Sequence, residues 1–171
     1  AVYPIVTALF GARLVTVPAK GFGHDLDAML AAITPRTRVV FVANPNNPTG
    51  TVVSPEALRR FVMAVPADVL VALDEAYIEF LDEPQDLLPE IRSGERPNLL
   101  LMRTFSKIYG LAGLRIGYGV GQPSLIEMLN RGRQPFNVSS LAQVAAQAAI
   151  DDQEHVRRGF ELNRDELPRV S

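Results

Sequence analysis

The sequence predicts a three-layer α/β/α domain built on a mainly parallel sheet. Three observations carry that reading. Residues 38–43, 69–73 and 99–102 are short, nearly continuous apolar runs, which suits strands buried on both faces. A helical segment separates the first two and one helical turn lies between the second and third, and strand–helix alternation is the pattern of a parallel sheet. The 171 residues are 47% hydrophobic and 21% charged, which fits one globular domain rather than a disordered chain.

The elements follow in order. Residues 2–10 read as a short helix that is apolar on most faces. Residues 13–17 (Arg-Leu-Val-Thr-Val) alternate as a strand does, and Gly21-Phe22-Gly23 makes a turn. Asp25 caps a helix over 26–33, with Leu26, Met29, Leu30 and Ile33 on one face. The run 38–43 is the first buried strand. Two prolines and a glycine force Asn44-Pro45-Asn46-Asn47-Pro48-Thr49-Gly50 into a loop. Ser54, Pro55 and Glu56 form a helix start: a cap, a proline in the first turn and an acid beside it. The helix runs to about residue 65. The strand 69–73 ends at Asp74-Glu75, and 81–97 is loop with one helical turn. After the strand 99–102, residues 104–113 are polar and punctuated by glycine. A fourth strand covers 115–120 and a helix covers 124–130. Ser139 caps a long Ala/Gln helix toward Ile150, and a charged helix follows over 153–167.

Composition narrows the function classes. Lys and Arg number 17 against 19 for Asp and Glu, so there is no basic excess for a nucleic-acid backbone. The absence of cysteine removes disulfides, thiolate metal sites and cysteine nucleophiles, and fits a reducing, cytoplasmic setting. Two histidines are too few for a histidine-based metal site, and we expect no metal; both histidines read as solvated. No apolar run approaches the roughly 20 residues that span a bilayer, so no membrane partner is expected.

Three polar clusters fall just after buried strands, where parallel sheets build their sites. They are 44–50, Asp74-Glu75-Ala76-Tyr77 and Thr104-Phe105-Ser106-Lys107. Taken singly, each is an ordinary turn, cap or solvated loop. Together they hold complementary chemistry. A lysine desolvated beside apolar strands becomes a nucleophile toward an aldehyde. An aspartate at a strand end holds a protonated ring nitrogen. Asn47 and Tyr77 can donate to a phenolate oxygen. Thr104, Ser106 and an arginine can hold a phosphate. That set describes a site for pyridoxal 5′-phosphate. A phosphate site in which Lys107 is only a point charge is the weaker alternative. Glu75 and Tyr109 read as structural.

The same residues resemble the class I/II, fold-type-I aminotransferases. The resemblance rests on Asn44 to Gly50, on Asp74-Glu75-Ala76-Tyr77, and on the block from Thr104 to Tyr118 with its Ser-Lys-x-x-x-Leu-Ala-Gly-Leu-Arg-x-Gly pattern. That block and Pro135-Phe136-Asn137-Val138-Ser139-Ser140 are similar to the histidinol-phosphate branch. The resemblance implies the PLP-dependent large-domain fold and transamination of L-histidinol phosphate with 2-oxoglutarate. A related aromatic aminotransferase, a threonine-phosphate decarboxylase and a non-catalytic remnant acting as a binding or assembly module remain alternatives.

It also implies roles. Lys107 is the catalytic lysine that bonds the cofactor and shuttles the substrate proton. Asp74 pairs with the pyridinium, Asn47 and Tyr77 with the ring oxygen, and Thr104, Ser106 and Arg115 with the phosphate. The family is about twice as long as this chain. Residues 1–171 are therefore expected to be a partial large domain, without the family's N-terminal segment and small C-terminal domain. The aromatic that stacks on the cofactor falls just before Ala1, and Tyr3 matches a later aromatic. Relatives are homodimers, so a homodimer is expected.

Overall fold

The computed structural model describes residues 2–170; Ala1 and Ser171, the ends of the expected domain, lie outside the described residues. The helices are α1 (Val2–Leu9), α2 (Leu26–Ala31), α3 (Pro55–Ala64), α4 (Leu88–Arg92), α5 (Pro123–Gly132), α6 (Ser140–Asp151) and α7 (Gln153–Val170). The strands are β1 (Val39–Ala43), β2 (Leu70–Asp74), β3 (Leu99–Thr104) and β4 (Gly117–Val120). They form one sheet in the order β1-β2-β3-β4. β1, β2 and β3 are parallel, and β4 is antiparallel to β3. The expected mainly parallel α/β/α architecture is present.

The β1–β2 and β2–β3 connections place α3 and α4 on the same face of the sheet, where they share one core. There Leu58, Phe61, Val62 and Val65 pack with Leu87 and Ile91 against Val42, Val71, Leu73, Leu99 and Leu101. The alternate strand positions, Phe41, Ala72, Asp74, Leu100, Met102 and Thr104, point to the other face. That face is less covered: Tyr3 of α1 stacks on Phe41 with ring centroids 4.6 Å apart. The third layer is therefore thinner than the sequence suggests.

The capping signals hold at atomic level. Asp25 accepts from the Ala28 N–H at 3.0 Å, Ser54 from Ala57 at 3.2 Å and Ser139 from Ala142 at 3.2 Å. Two expectations fail. Residues 13–17 form no strand, because among the described residues their backbone finds no ladder partner, and Leu14 and Val15 are exposed. The histidines are not simply solvated. His24 Nε2 lies 3.0 Å from the Ala43 carbonyl oxygen, and His155 Nε2 lies 3.0 Å from that of Ile108. No helix among the described residues is long and apolar enough to cross a membrane.

The β3–β4 contact is close enough to exclude any side chain at Gly117. A Cβ built there would stand 2.6 Å from the Arg103 carbonyl oxygen. Gly117→Ala should destabilise the fold by about 1–3 kcal/mol through overpacking. Gly132→Ala, where the added carbon meets nothing within 4 Å, should be neutral or mildly stabilising. Urea unfolding of both variants checks this; equal midpoints would contradict it.

Candidate active site

Parallel pairing aligns the carboxyl ends of β1, β2 and β3, with Ala43 opposite Asp74 and Asp74 opposite Met102. Each strand runs into one of the polar segments singled out above. Strand alternation puts Asp74 and Thr104, two positions beyond Met102, on the same face. The loops bring the remaining residues to this edge.

Lys107 Nζ lies 4.9 Å from the centroid of the Tyr77 ring. The Tyr77 hydroxyl accepts a hydrogen bond from Asn47 Nδ2 at 3.3 Å. One amine, one phenol and one amide from three separate loops thus meet. A second group forms around the phosphate candidates. Thr104 Oγ1 accepts from the Ser106 N–H at 3.1 Å, and Arg115 Nη1 donates to Ser106 Oγ at 3.4 Å and to the Ala112 carbonyl at 2.8 Å. Arg115 has left-handed backbone, φ +51°, so it ends the turn Ala112–Leu114 instead of opening β4 as its place in the apolar run suggests. A bulky residue there stores strain, which is common at functional positions. The two groups are joined through the segment 104–107.

Asp74 is fixed from two sides. Its Oδ1 accepts from the Ala76 N–H at 3.0 Å, and its Oδ2 accepts from the Tyr3 hydroxyl. Burial, then the hydrogen bond to Asp74, then the charge of Asp74 push the Tyr3 phenol well above its ordinary range. Tyr3 therefore stays protonated and acts as a donor.

Behind these residues lies a buried ion pair. Arg103 Nε donates to Glu75 Oε2 at 2.7 Å, with the Glu75 side chain only 2% exposed. Glu75 is adjacent to Asp74 and Arg103 to Thr104, and the Glu75 N–H donates to the Met102 carbonyl at 2.9 Å. Burial raises the Glu75 pKa, with Arg103 opposing. The structural reading of Glu75 fits this pair, and that of Tyr109 fits its packing on Phe105 with centroids 5.0 Å apart.

Lys107 is exposed rather than desolvated. Burial of this amine depends on what covers the strand ends, not on the strands beside it. Asn47 and Arg115 are exposed too, while Asp74, Tyr77, Thr104 and Ser106 are half-buried. Sequence reasoning missed Tyr3 and Arg103 as site neighbours. For Tyr3 no local signal exists, since its partner is 71 positions away. Arg103 carried one: a cation closing a buried apolar strand requires a counter-charge. The described residues contain no group of three or more His, Asp or Glu placed to hold a metal.

The model of the family "Aminotransferase class I and II" matches residues 1–169. The chain belongs to the class I and II aminotransferase family. Among curated members it is 58% identical over 164 residues to histidinol-phosphate aminotransferase 1 of Cupriavidus pinatubonensis, an alignment covering 96% of this chain and 44% of that protein. It is 59% identical over 164 residues to histidinol-phosphate aminotransferase 2 of Ralstonia nicotianae, covering 95% and 44%. The crystal structure of histidinol-phosphate aminotransferase from Sinorhizobium meliloti in complex with pyridoxal-5′-phosphate superposes with a TM-score of 0.90 at 38% identity, over 98% of this chain and 46% of that one. The chain thus spans somewhat less than half the length of these aminotransferases.

Proposed function

We propose that this chain is the cofactor-binding, large-domain part of a PLP-dependent aminotransferase. The proposed reaction transfers the amino group of L-histidinol phosphate to 2-oxoglutarate, giving imidazole acetol phosphate and glutamate in histidine biosynthesis. The observation that carries this is Lys107 over Tyr77, itself hydrogen-bonded to Asn47, beside a carboxylate and a hydroxyl–guanidinium group at the same sheet edge. The 58% and 59% identities to histidinol-phosphate aminotransferases support the choice of substrate over the related aromatic and threonine-phosphate enzymes.

The donor set fits the cofactor. When bound, PLP supplies an aldehyde and an electron-accepting ring. The Asp74 carboxylate faces a protonated ring nitrogen. Asn47 and Tyr77 donate to the ring oxygen. Thr104, Ser106 and Arg115 bind the phosphate, with Arg115 supplying a fixed charge. Lys107 Nζ is the attachment point and the base that moves the substrate Cα proton.

Residues 1–171 are assigned to the partial large domain. The family's N-terminal segment and small domain account for the remaining length of the relatives. The whole protein is placed in the cytoplasm as a homodimer, acting on a small-molecule amino donor and a 2-oxo acid without nucleic acid, membrane or metal.

Adding PLP tests the first half of the proposal. A visible absorbance band that borohydride reduction fixes onto the chain supports it; no band counts against it. Turnover of L-histidinol phosphate, compared with aromatic amino acids and L-threonine phosphate in the whole enzyme, tests the second half. Tyr77→Phe should weaken PLP binding roughly 2- to 12-fold, the 0.5–1.5 kcal/mol of one hydrogen bond. Its melting temperature should barely move, because the Asn47 amide left behind is exposed and remains solvated.

A further inference from the structure

Asp74 would have to present its carboxylate edge-on to a ring nitrogen. A carboxylate rotates freely about its last bond unless something holds it, because that torsion is broad and roughly two-fold. The Ala76 N–H holds Oδ1 from within the same loop, at 3.0 Å. A single local donor fixes one oxygen but not the plane. The second donor is the Tyr3 hydroxyl on Oδ2, which comes from α1, 71 positions away.

Tyr3 is itself anchored. Its ring stacks on Phe41 at 4.6 Å and 22°. Phe41 is the β1 partner of Ala72, two residues before Asp74 on the same strand face. The Thr7 hydroxyl donates to the Tyr3 carbonyl at 2.8 Å, tying down that turn of α1. The phenol is therefore registered to the sheet that carries Asp74. Burial and the neighbouring carboxylate keep it protonated, so its proton is directed at Asp74 throughout the working pH range.

We propose that Tyr3 is a positioning residue: its hydroxyl and the Ala76 N–H together set the plane of the Asp74 carboxylate for the cofactor ring. The role rests on the PLP reading above, whereas the Tyr3–Asp74 contact can be tested without cofactor.

Two measurements separate contact from role. In the cofactor-free chain, the Tyr3 phenol is followed by ultraviolet difference titration, with Tyr3→Phe identifying its signal. It should ionise well above an ordinary tyrosine, and at lower pH in Asp74→Asn than in the parent. Ordinary titration in the parent would overturn the contact and the role together. With PLP added, Tyr3→Phe keeps the ring on Phe41 and removes only the donor. Its PLP dissociation constant should rise roughly 2- to 12-fold, the cost of ordering one side chain that is no longer held before the cofactor arrives. The visible circular dichroism of bound PLP should fall, because the ring is less firmly oriented. In the Asp74→Asn background the same substitution should add almost nothing. An unchanged dissociation constant and dichroism in Tyr3→Phe would overturn the role, as would an equal effect with and without the carboxylate. If the parent forms no PLP band while the phenol titrates as expected, the contact stands, and the PLP reading and the positioning role both fall.

Discussion

Lys107→Ala is expected to abolish covalent capture of PLP and to reduce transamination by at least the 10²- to 10⁴-fold that a positioned proton-transfer group supplies. The loss is larger than for any other site residue because one nitrogen has two tasks, attachment and movement of the substrate proton. Neither Tyr77 nor Asn47 can take over, since a phenol and an amide are not nucleophilic amines at neutral pH. The fold should hardly notice. Lys107 is exposed, and its packing over the Tyr77 ring is worth about 0.5–1 kcal/mol at an open position. Borohydride reduction followed by mass measurement reads the outcome: an adduct on the parent and none on the variant. An adduct of equal yield on both would remove Lys107 from the mechanism. Lys107→Arg sharpens the comparison, because it keeps the charge without a free amine. It should fail as completely as alanine; if it retained capture, a point-charge role for Lys107 would be favoured.

The sheet and most helices were legible because their signals are local. An apolar run bounded by polar turns marks β1, β2 and β3. A cap residue with its bonded N–H three positions on marks α2, α3 and α6. The site edge was legible for a related reason: a parallel sheet collects its loops at one end, so three polar clusters after three strands had to be neighbours. What the sequence did not reveal depends on distance. Residues 13–17 alternate like a strand, but alternation does not supply a neighbouring edge. The exposure of Lys107 depends on what lies over the strand ends, and flanking Leu and Phe residues do not report that. Tyr3 and Asp74 meet only because α1 lies across the face that carries Phe41. Arg115 looked like the first residue of a strand, yet its left-handed backbone turns the chain there and lets its guanidinium reach back to Ser106.

Arg103→Met should have the largest effect on stability. Glu75 is almost fully buried and its only ion-pair partner among the described residues is Arg103. Removing one member of a buried pair leaves an uncompensated charge, at a cost of about 3–5 kcal/mol. The pH dependence identifies the cause. Burial raises the Glu75 pKa above its ordinary 4.5, Arg103 pulls it down, and the like charges of Glu79 and Asp86 add to the rise. A carboxyl raised on folding contributes stability below its unfolded value and loses it as pH climbs through its folded value. Without Arg103 the folded value rises further, so the loss at neutral pH deepens. The variant should therefore be much less stable than the parent at pH 7, and the gap should narrow as pH falls toward 4.5 and Glu75 takes up a proton. Urea unfolding at several pH values between 5 and 8 measures this directly. The double variant Glu75→Gln, Arg103→Met removes both charges of the pair and leaves only the half-buried Glu79 without its cation, so it should recover much of the loss and show a flatter pH profile. A gap that stayed constant with pH would mean that the arginine stem, not its charge, stabilises this corner. Because the pair joins the immediate chain neighbours of Asp74 and Thr104, the same variant should also loosen both strand ends and weaken PLP binding at pH 7, with partial recovery in the double variant.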